Sequence, residues 1–86
     1  MFHIETLTKN YVRVPSGAVN VAFTPPAVSG YTPVGVIGFS TNNNHQIVYE
    51  VTMVSTALIR MSMQGDSNSS TATTTASITV LYIRDS

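Results

Sequence analysis

The sequence predicts an all-β fold, a small antiparallel β-sandwich of jelly-roll-like character, on three observations. Apolar residues recur at every second position, β-branched Val, Ile and Thr are abundant, and clusters of Gly, Pro, Ser and Asn separate the apolar runs. Alternate side chains of an extended chain point to opposite faces, so each period-two stripe marks a strand with one face in a core. Val19, Val21 and Phe23 form one stripe. Ile47, Tyr49, Val51 and Met53 form a second, Ala57, Ile59, Met61 and Met63 a third, and Ala76, Ile78, Val80 and Tyr82 a fourth. Breakers fall between them at Pro15-Ser16-Gly17, Pro25-Pro26, Ser29-Gly30 and Gly65-Asp66-Ser67-Asn68. About seven strands follow, near 2–8, 10–14, 18–24, 33–40, 46–54, 57–64 and 73–84. They belong to a single domain over 1–86, in which 1–16 supplies an N-terminal strand or a linker.

One hairpin can be given a register. Setting the second stripe against the third, with a three-residue loop at Val54-Ser55-Thr56, places Tyr49 opposite Met61 and Val51 opposite Ile59. The same register sets Glu50 opposite Arg60 on the other face, an expected surface pair. Phe23, Phe39, Tyr49 and Tyr82 all lie on apolar stripes and are expected in the core.

Two strands depart from simple alternation. Val34-Gly35-Val36-Ile37-Gly38-Phe39 and Ile78-Thr79-Val80-Leu81-Tyr82-Ile83 are apolar on both faces. A sandwich covers one face of each strand, so the second face asks for another cover. Gly35 and Gly38 fit either a close approach of backbones or a bulge. In so short a chain the expected cover is another copy, with Val36, Phe39, Leu81 and Ile83 as candidate oligomer contacts.

Composition supports self-association. A chain of 86 residues buries only roughly 60–65% of its unfolded surface, and domains of this size commonly draw on disulfides, metals or oligomerisation. There is no cysteine, and His3 and His45 are the only histidines, too far apart in sequence for a structural zinc motif. Four acidic residues, Glu5, Glu50, Asp66 and Asp85, balance Lys9, Arg13, Arg60 and Arg84. Without a basic stripe, nucleic acid is a poor partner, and a neutral chain has little charge repulsion to hold copies apart. No stretch has the roughly 18–20 apolar residues of a membrane-spanning helix. The opening Met1-Phe2-His3-Ile4-Glu5 lacks the basic and apolar regions of a signal peptide. A role outside a cell would then imply another route of export, or a longer parent protein.

Catalytic patterns are absent. The chain has no Cys nucleophile, no GxSxG elbow, no phosphate loop and no paired metal-ligand motif, and no cofactor is expected. Glu50 and Asp66 would make a glycosidase pair only at the right separation, which the sequence does not set. What remains is recognition by loops rich in short hydrogen-bonding groups. Asn42, Asn43, Asn44 and His45 lie in one, Asp66 and Asn68 in the other, and these six are the candidate ligand contacts. The same residue types also build turns. Asn68-Ser69-Ser70 matches a glycosylation sequon. The Ser, Thr and Ala run from 67 to 77 reads as a loop entering the last strand, with Thr73, Thr75, Ser77 and Thr79 on one face.

The run Ser29-Gly30-Tyr31-Thr32-Pro33-Val34-Gly35-Val36-Ile37-Gly38, the tract around Val48-Tyr49, and the closing Val80-Leu81-Tyr82-Ile83-Arg84 carry a resemblance. Over residues 17 to 84 the chain resembles the C-terminal head or tip domains of phage and prophage tail-fibre or minor structural proteins of gut bacteria. That resemblance implies a β-sandwich that forms a homotrimer in a virion and binds a bacterial surface receptor or glycan. It also implies expression in the bacterial cytoplasm. A structural or capsid-decorating module that contacts other virion proteins is the alternative. Fibre proteins carry a long shaft before the tip, whereas here Met1 opens almost directly on the domain, as in an excised piece or a short stand-alone protein.

Overall fold

A computed structural model describes residues 1–86. Six strands and no helix make up the fold: β1 (Phe2–Val12), β2 (Ala18–Phe23), β3 (Tyr31–Thr41), β4 (Gln46–Ser55), β5 (Leu58–Gly65) and β6 (Thr73–Arg84). They form two three-stranded antiparallel sheets, ordered β1-β6-β3 and β2-β5-β4. The first strand pairs with the last and the second with the fifth. Strands of up to 12 residues, at about 3.3 Å per residue, explain an elongated body of 50 × 18 × 15 Å.

The strand count is six because β1 is continuous. The break expected near residue 9 does not occur: β1 stays in register with β6 over its whole length, and Asn10 accepts a hydrogen bond from the Thr75 hydroxyl at 2.8 Å. Residues 2–12 are therefore a full sheet member and not a linker.

The core lies between the central strands. Ile59, Met61 and Met63 of β5 face Ala76, Ile78, Val80 and Tyr82 of β6, all fully buried, with Val21 and Phe23 of β2 beside them. Three of the four sequence stripes thus occupy the inner faces, apart from the exposed Ala57 in the β4–β5 turn. The last strand carries its hydroxyl face outward as expected. Tyr82 is anchored as well as buried, its hydroxyl donating to the Pro26 carbonyl at 2.7 Å.

The second stripe is corrected by a bulge. β4 pairs with β5 as Val48↔Met63 and then Glu50↔Ser62, leaving Tyr49 as the extra residue. Inward-facing positions therefore switch from Gln46 and Val48 to Val51 and Met53, while Ile47 and Tyr49 are 64% and 60% exposed. The hairpin turn has two residues, Thr56 and Ala57, instead of three, with Ser55 opposite Leu58. Glu50 faces Ser62, and Arg60 faces Thr52, so the predicted Glu50–Arg60 pair is not formed.

Bulges also account for the two-faced appearance of β3. Its register against β6 slips at Val34 and again at Ile37, directly before Gly35 and Gly38. The four bulged residues of the fold, Val34, Ile37, Tyr49 and Val54, are all large, apolar and at least half exposed. Phe39 follows on the inward side of β3 but lies at the open edge of the sandwich and is 56% exposed. Of the aromatics expected inside, Phe23 and Tyr82 are buried, while Phe39 and Tyr49 are not.

This division predicts a clear contrast. Met61→Ala removes a fully buried side chain and should cost about 2–5 kcal/mol. Tyr49→Ser should stay within about 0.5 kcal/mol of the parent protein. Urea denaturation of the two variants checks this, and a large loss for Tyr49→Ser would place that ring in the core.

Candidate functional site

Strand alternation brings three connections to one end of the sandwich. The β1–β2, β3–β4 and β5–β6 loops lie together there, and the β2–β3 and β4–β5 connections lie at the other end with the chain termini. All six candidate ligand residues, Asn42, Asn43, Asn44, His45, Asp66 and Asn68, are therefore at one end, although the two loops are over twenty positions apart in sequence.

The residue that organises this end is Arg13, which directly follows β1. Its side chain has no solvent exposure. Nη1 donates to the carbonyls of Asn68 and Ser70 at 2.6 and 2.7 Å. Nη2 donates to the Asp66 carbonyl at 2.9 Å and to Asp66 Oδ1 at 2.6 Å, and Nε reaches the His45 carbonyl at 3.4 Å. A guanidinium has five N–H donors in a planar fork, and here each has an acceptor. Its backbone N–H adds a bond to the Ala72 carbonyl at 3.2 Å. One carboxylate and several carbonyl dipoles thus compensate a buried cation that would otherwise be costly.

The β5–β6 loop is built to present those carbonyls. Asp66 Oδ1 accepts from the Asn68 N–H at 2.9 Å, Asn68 Oδ1 from the Ser70 N–H at 3.0 Å, and Ser70 Oγ from the Ala72 N–H at 3.2 Å. Each even-numbered side chain binds the backbone two residues on, a succession of Asx and Ser turns. Even-numbered carbonyls then converge on Arg13, while Ser67, Ser69 and Thr71 are exposed. Gly65 begins the loop because space is lacking: a Cβ there would collide with the Val14 carbonyl, and its N–H bonds Gly17 O at 2.9 Å.

The β3–β4 loop uses its amides in a similar way. Asn42 Oδ1 accepts from the Thr75 N–H, and Asn43 Oδ1 accepts from the His45 N–H, each at 2.9 Å. The Asn43 amide also donates to Thr74 Oγ1 at 3.3 Å. Three of the four Asn candidates, Asn42, Asn43 and Asn68, are thus committed to holding loops. Asn44 is exposed, and His45 is half exposed, with Nδ1 2.8 Å from Asp66 Oδ2. An ionised carboxylate only accepts, so His45 Nδ1 carries the proton in this pair and the outer ring nitrogen remains for solvent or a ligand. Behind them Gln46 is buried with an amide that has no protein partner.

Asp66 is held below the usual carboxylate range by the His45 hydrogen bond, then by the Asn68 N–H, with the charges of His45 and Arg13 adding to them against some desolvation. Tyr82 is pushed above the usual phenol range by burial, and the nearby charge of Glu5 adds to this.

The remaining candidates separate. Leu81 and Ile83 project from the outer face of β1-β6-β3, beside Phe2 and Ile4 of β1. Val36 packs against the core from the inner side of β3, and with Phe39 it lines a shallow groove between β3 and β4 completed by Val48, Tyr49, Glu50 and Val51. The four proposed oligomer contacts therefore do not share one surface. Glu50 and Asp66 are also apart: Glu50 is level with Ser62, so about 13 Å of strand lies between it and Asp66, beyond the 6.5–9.5 Å of an inverting glycosidase. No group of three His, Asp or Glu side chains gathers to hold a metal ion.

Sequence reasoning did not single out Arg13. The one available signal was a lone cation at a strand end before a Pro-Ser-Gly turn, and its side-chain partners lie 32 to 57 positions away. Compared with protein-family models, curated proteins and solved structures, the chain has no match.

The two perturbed groups set opposite limits on stability. The folded pKa of Asp66 lies below its unfolded one, so its contribution is complete above the ordinary carboxylate range and is lost as pH falls through the folded value. The folded pKa of Tyr82 lies above its unfolded one, so its contribution is present below about pH 10 and is lost as pH rises through the folded value. Melting temperature against pH should therefore lose its acid slope in Asp66→Asn and its alkaline slope in Tyr82→Phe. An unchanged acid slope in Asp66→Asn would remove the carboxylate from this role.

Proposed function

We propose that the chain is a non-enzymatic recognition module, the head or tip domain of a phage or prophage fibre, with the Arg13-braced loop end as its binding face. The observation that carries this is the bracing itself. Loops whose own side chains and a buried cation satisfy their backbone are held in one shape, and a preformed surface loses less entropy on binding. The groups left outward, Asn44, His45, Ser67, Ser69 and Thr71, are amide, imidazole and hydroxyl. They suit the hydroxyl-rich surface of a bacterial glycan, bound partly through water. In this reading the domain works in the virion after synthesis in the bacterial cytoplasm.

A structural or capsid-decorating role is the second reading. It is favoured by the exposed apolar groups Phe2, Ile4, Ile47, Tyr49 and Ile83, which fit contact with protein better than contact with sugar. Both readings involve association with further chains. The threefold count implied by the resemblance rests on no contact within a single chain.

Binding of the labelled domain to bacterial cells and to a panel of surface glycans distinguishes the two. The recognition reading predicts saturable binding that falls about tenfold in Asn44→Ala combined with Ser69→Ala, a loss of about 1.4 kcal/mol, with an unchanged melting temperature. Absence of binding to cells and glycans, together with capture of other virion proteins, would favour the structural reading.

A further inference from the structure

Two open three-stranded sheets have four free edges, and three of these carry features that discourage pairing. β3 contains Pro33 and two bulges, β4 contains two bulges, and β2 has only six residues. β1 has none of these. It runs for eleven residues with neither proline nor bulge, in unbroken register with β6 from Phe2 to Val12.

The hydrogen bonds at its two ends show which backbone groups are free. The Arg13 N–H donates to Ala72 O at 3.2 Å, and the Arg84 N–H donates to Met1 O at 3.2 Å. Bonding in an antiparallel ladder alternates along the strand, so the odd-numbered residues of β1 face β6. The even-numbered residues Phe2, Ile4, Thr6, Thr8, Asn10 and Val12 direct N–H and C=O to the open edge.

We propose that this edge is an interaction surface whose partner is β1 of a second copy, antiparallel about a twofold axis through Leu7. Charge complementarity selects this register. Centred on Leu7, Glu5 of each copy lies opposite Lys9 of the other, Leu7 meets Leu7, and Phe2 meets Val12, both of which are about 60% exposed in the single chain. Even-numbered residues oppose even-numbered residues, as the free N–H and C=O groups require. Centring on Thr6 instead puts Glu5 against Leu7 and Lys9 against His3. Centring on Thr8 puts Glu5 against Tyr11 and Lys9 against Leu7. Only the Leu7 register pairs opposite charges and joins the apolar ends. The product is a continuous six-stranded sheet, closed by its own symmetry, in which the long regular edge of each copy is covered. This inference sets a twofold pair in place of the threefold count that the resemblance implies, and it is independent of what the loop end binds.

Sedimentation equilibrium from micromolar to millimolar concentration tests it, starting from a chain mass of 9.2 kDa. The expected result is a reversible species of twice that mass. Thr8→Pro removes an N–H that points to the free edge and bears no bond to β6, so it should give a folded monomer with an unchanged circular dichroism spectrum. Lys9→Glu and Glu5→Lys should each weaken the dimer about tenfold, and the double variant should restore it. A parent protein that stays monomeric or forms a trimer would overturn the proposal. So would a Thr8→Pro variant that remains dimeric, or a charge swap that fails to restore association.

Discussion

The buried Arg13 guanidinium is the interaction on which the loop end depends. Six strands and a core of nine buried apolar residues define the sandwich, but three connections at one end have no sheet to hold them. Backbone groups in such segments must find other partners. Here a single planar cation collects carbonyls from the β3–β4 and β5–β6 loops and one carboxylate, and it does so from the strand that leads into the β1–β2 loop. The first part of the Ser, Thr and Ala run from 67 to 77 is thereby explained, and the rest is the start of β6. Asp66, Asn68 and Ser70 bond the chain two residues ahead, and the same spacing turns their carbonyls toward Arg13.

A second constraint is the pair of bulged edge strands. Slips at Val34 and Ile37 of β3, and at Tyr49 and Val54 of β4, put four apolar residues on the surface that strict alternation would distribute otherwise. They also increase local twist, which discourages β3 and β4 from accepting a further strand. The regular β1 lies at the opposite edge of its sheet from β3. One small sheet thus carries an irregular edge at β3 and a regular one at β1.

Much of the fold was legible in the sequence. The stripes through Val21, Ile59, Met61, Met63, Ile78, Val80 and Tyr82 are inner faces because period-two patterning reports burial directly. Ile47 and Tyr49 misled for a specific reason: a bulge shifts the phase by one residue, and an apolar bulged residue looks like a continuing stripe. The site was half legible. Turn-forming Asn, Asp and Ser marked the loops, and both loops do lie at one end. That Asn42 bonds Thr75, and that Arg13 lies beneath both loops, depended on contacts across 32 to 57 positions that no local pattern encodes.

Amide hydrogen exchange in the β5–β6 loop tests this account most directly. The N–H groups of Asn68, Ser70 and Ala72 should exchange at least about a hundredfold more slowly than in an unstructured chain, although they belong to no sheet. Arg13→Lys keeps the charge and loses the fork, so it should abolish that protection while the strand amides of β5 and β6 remain protected. Free exchange of these three amides in the parent protein, or protection that survives Arg13→Lys, would contradict the claim that Arg13 holds the loop end together.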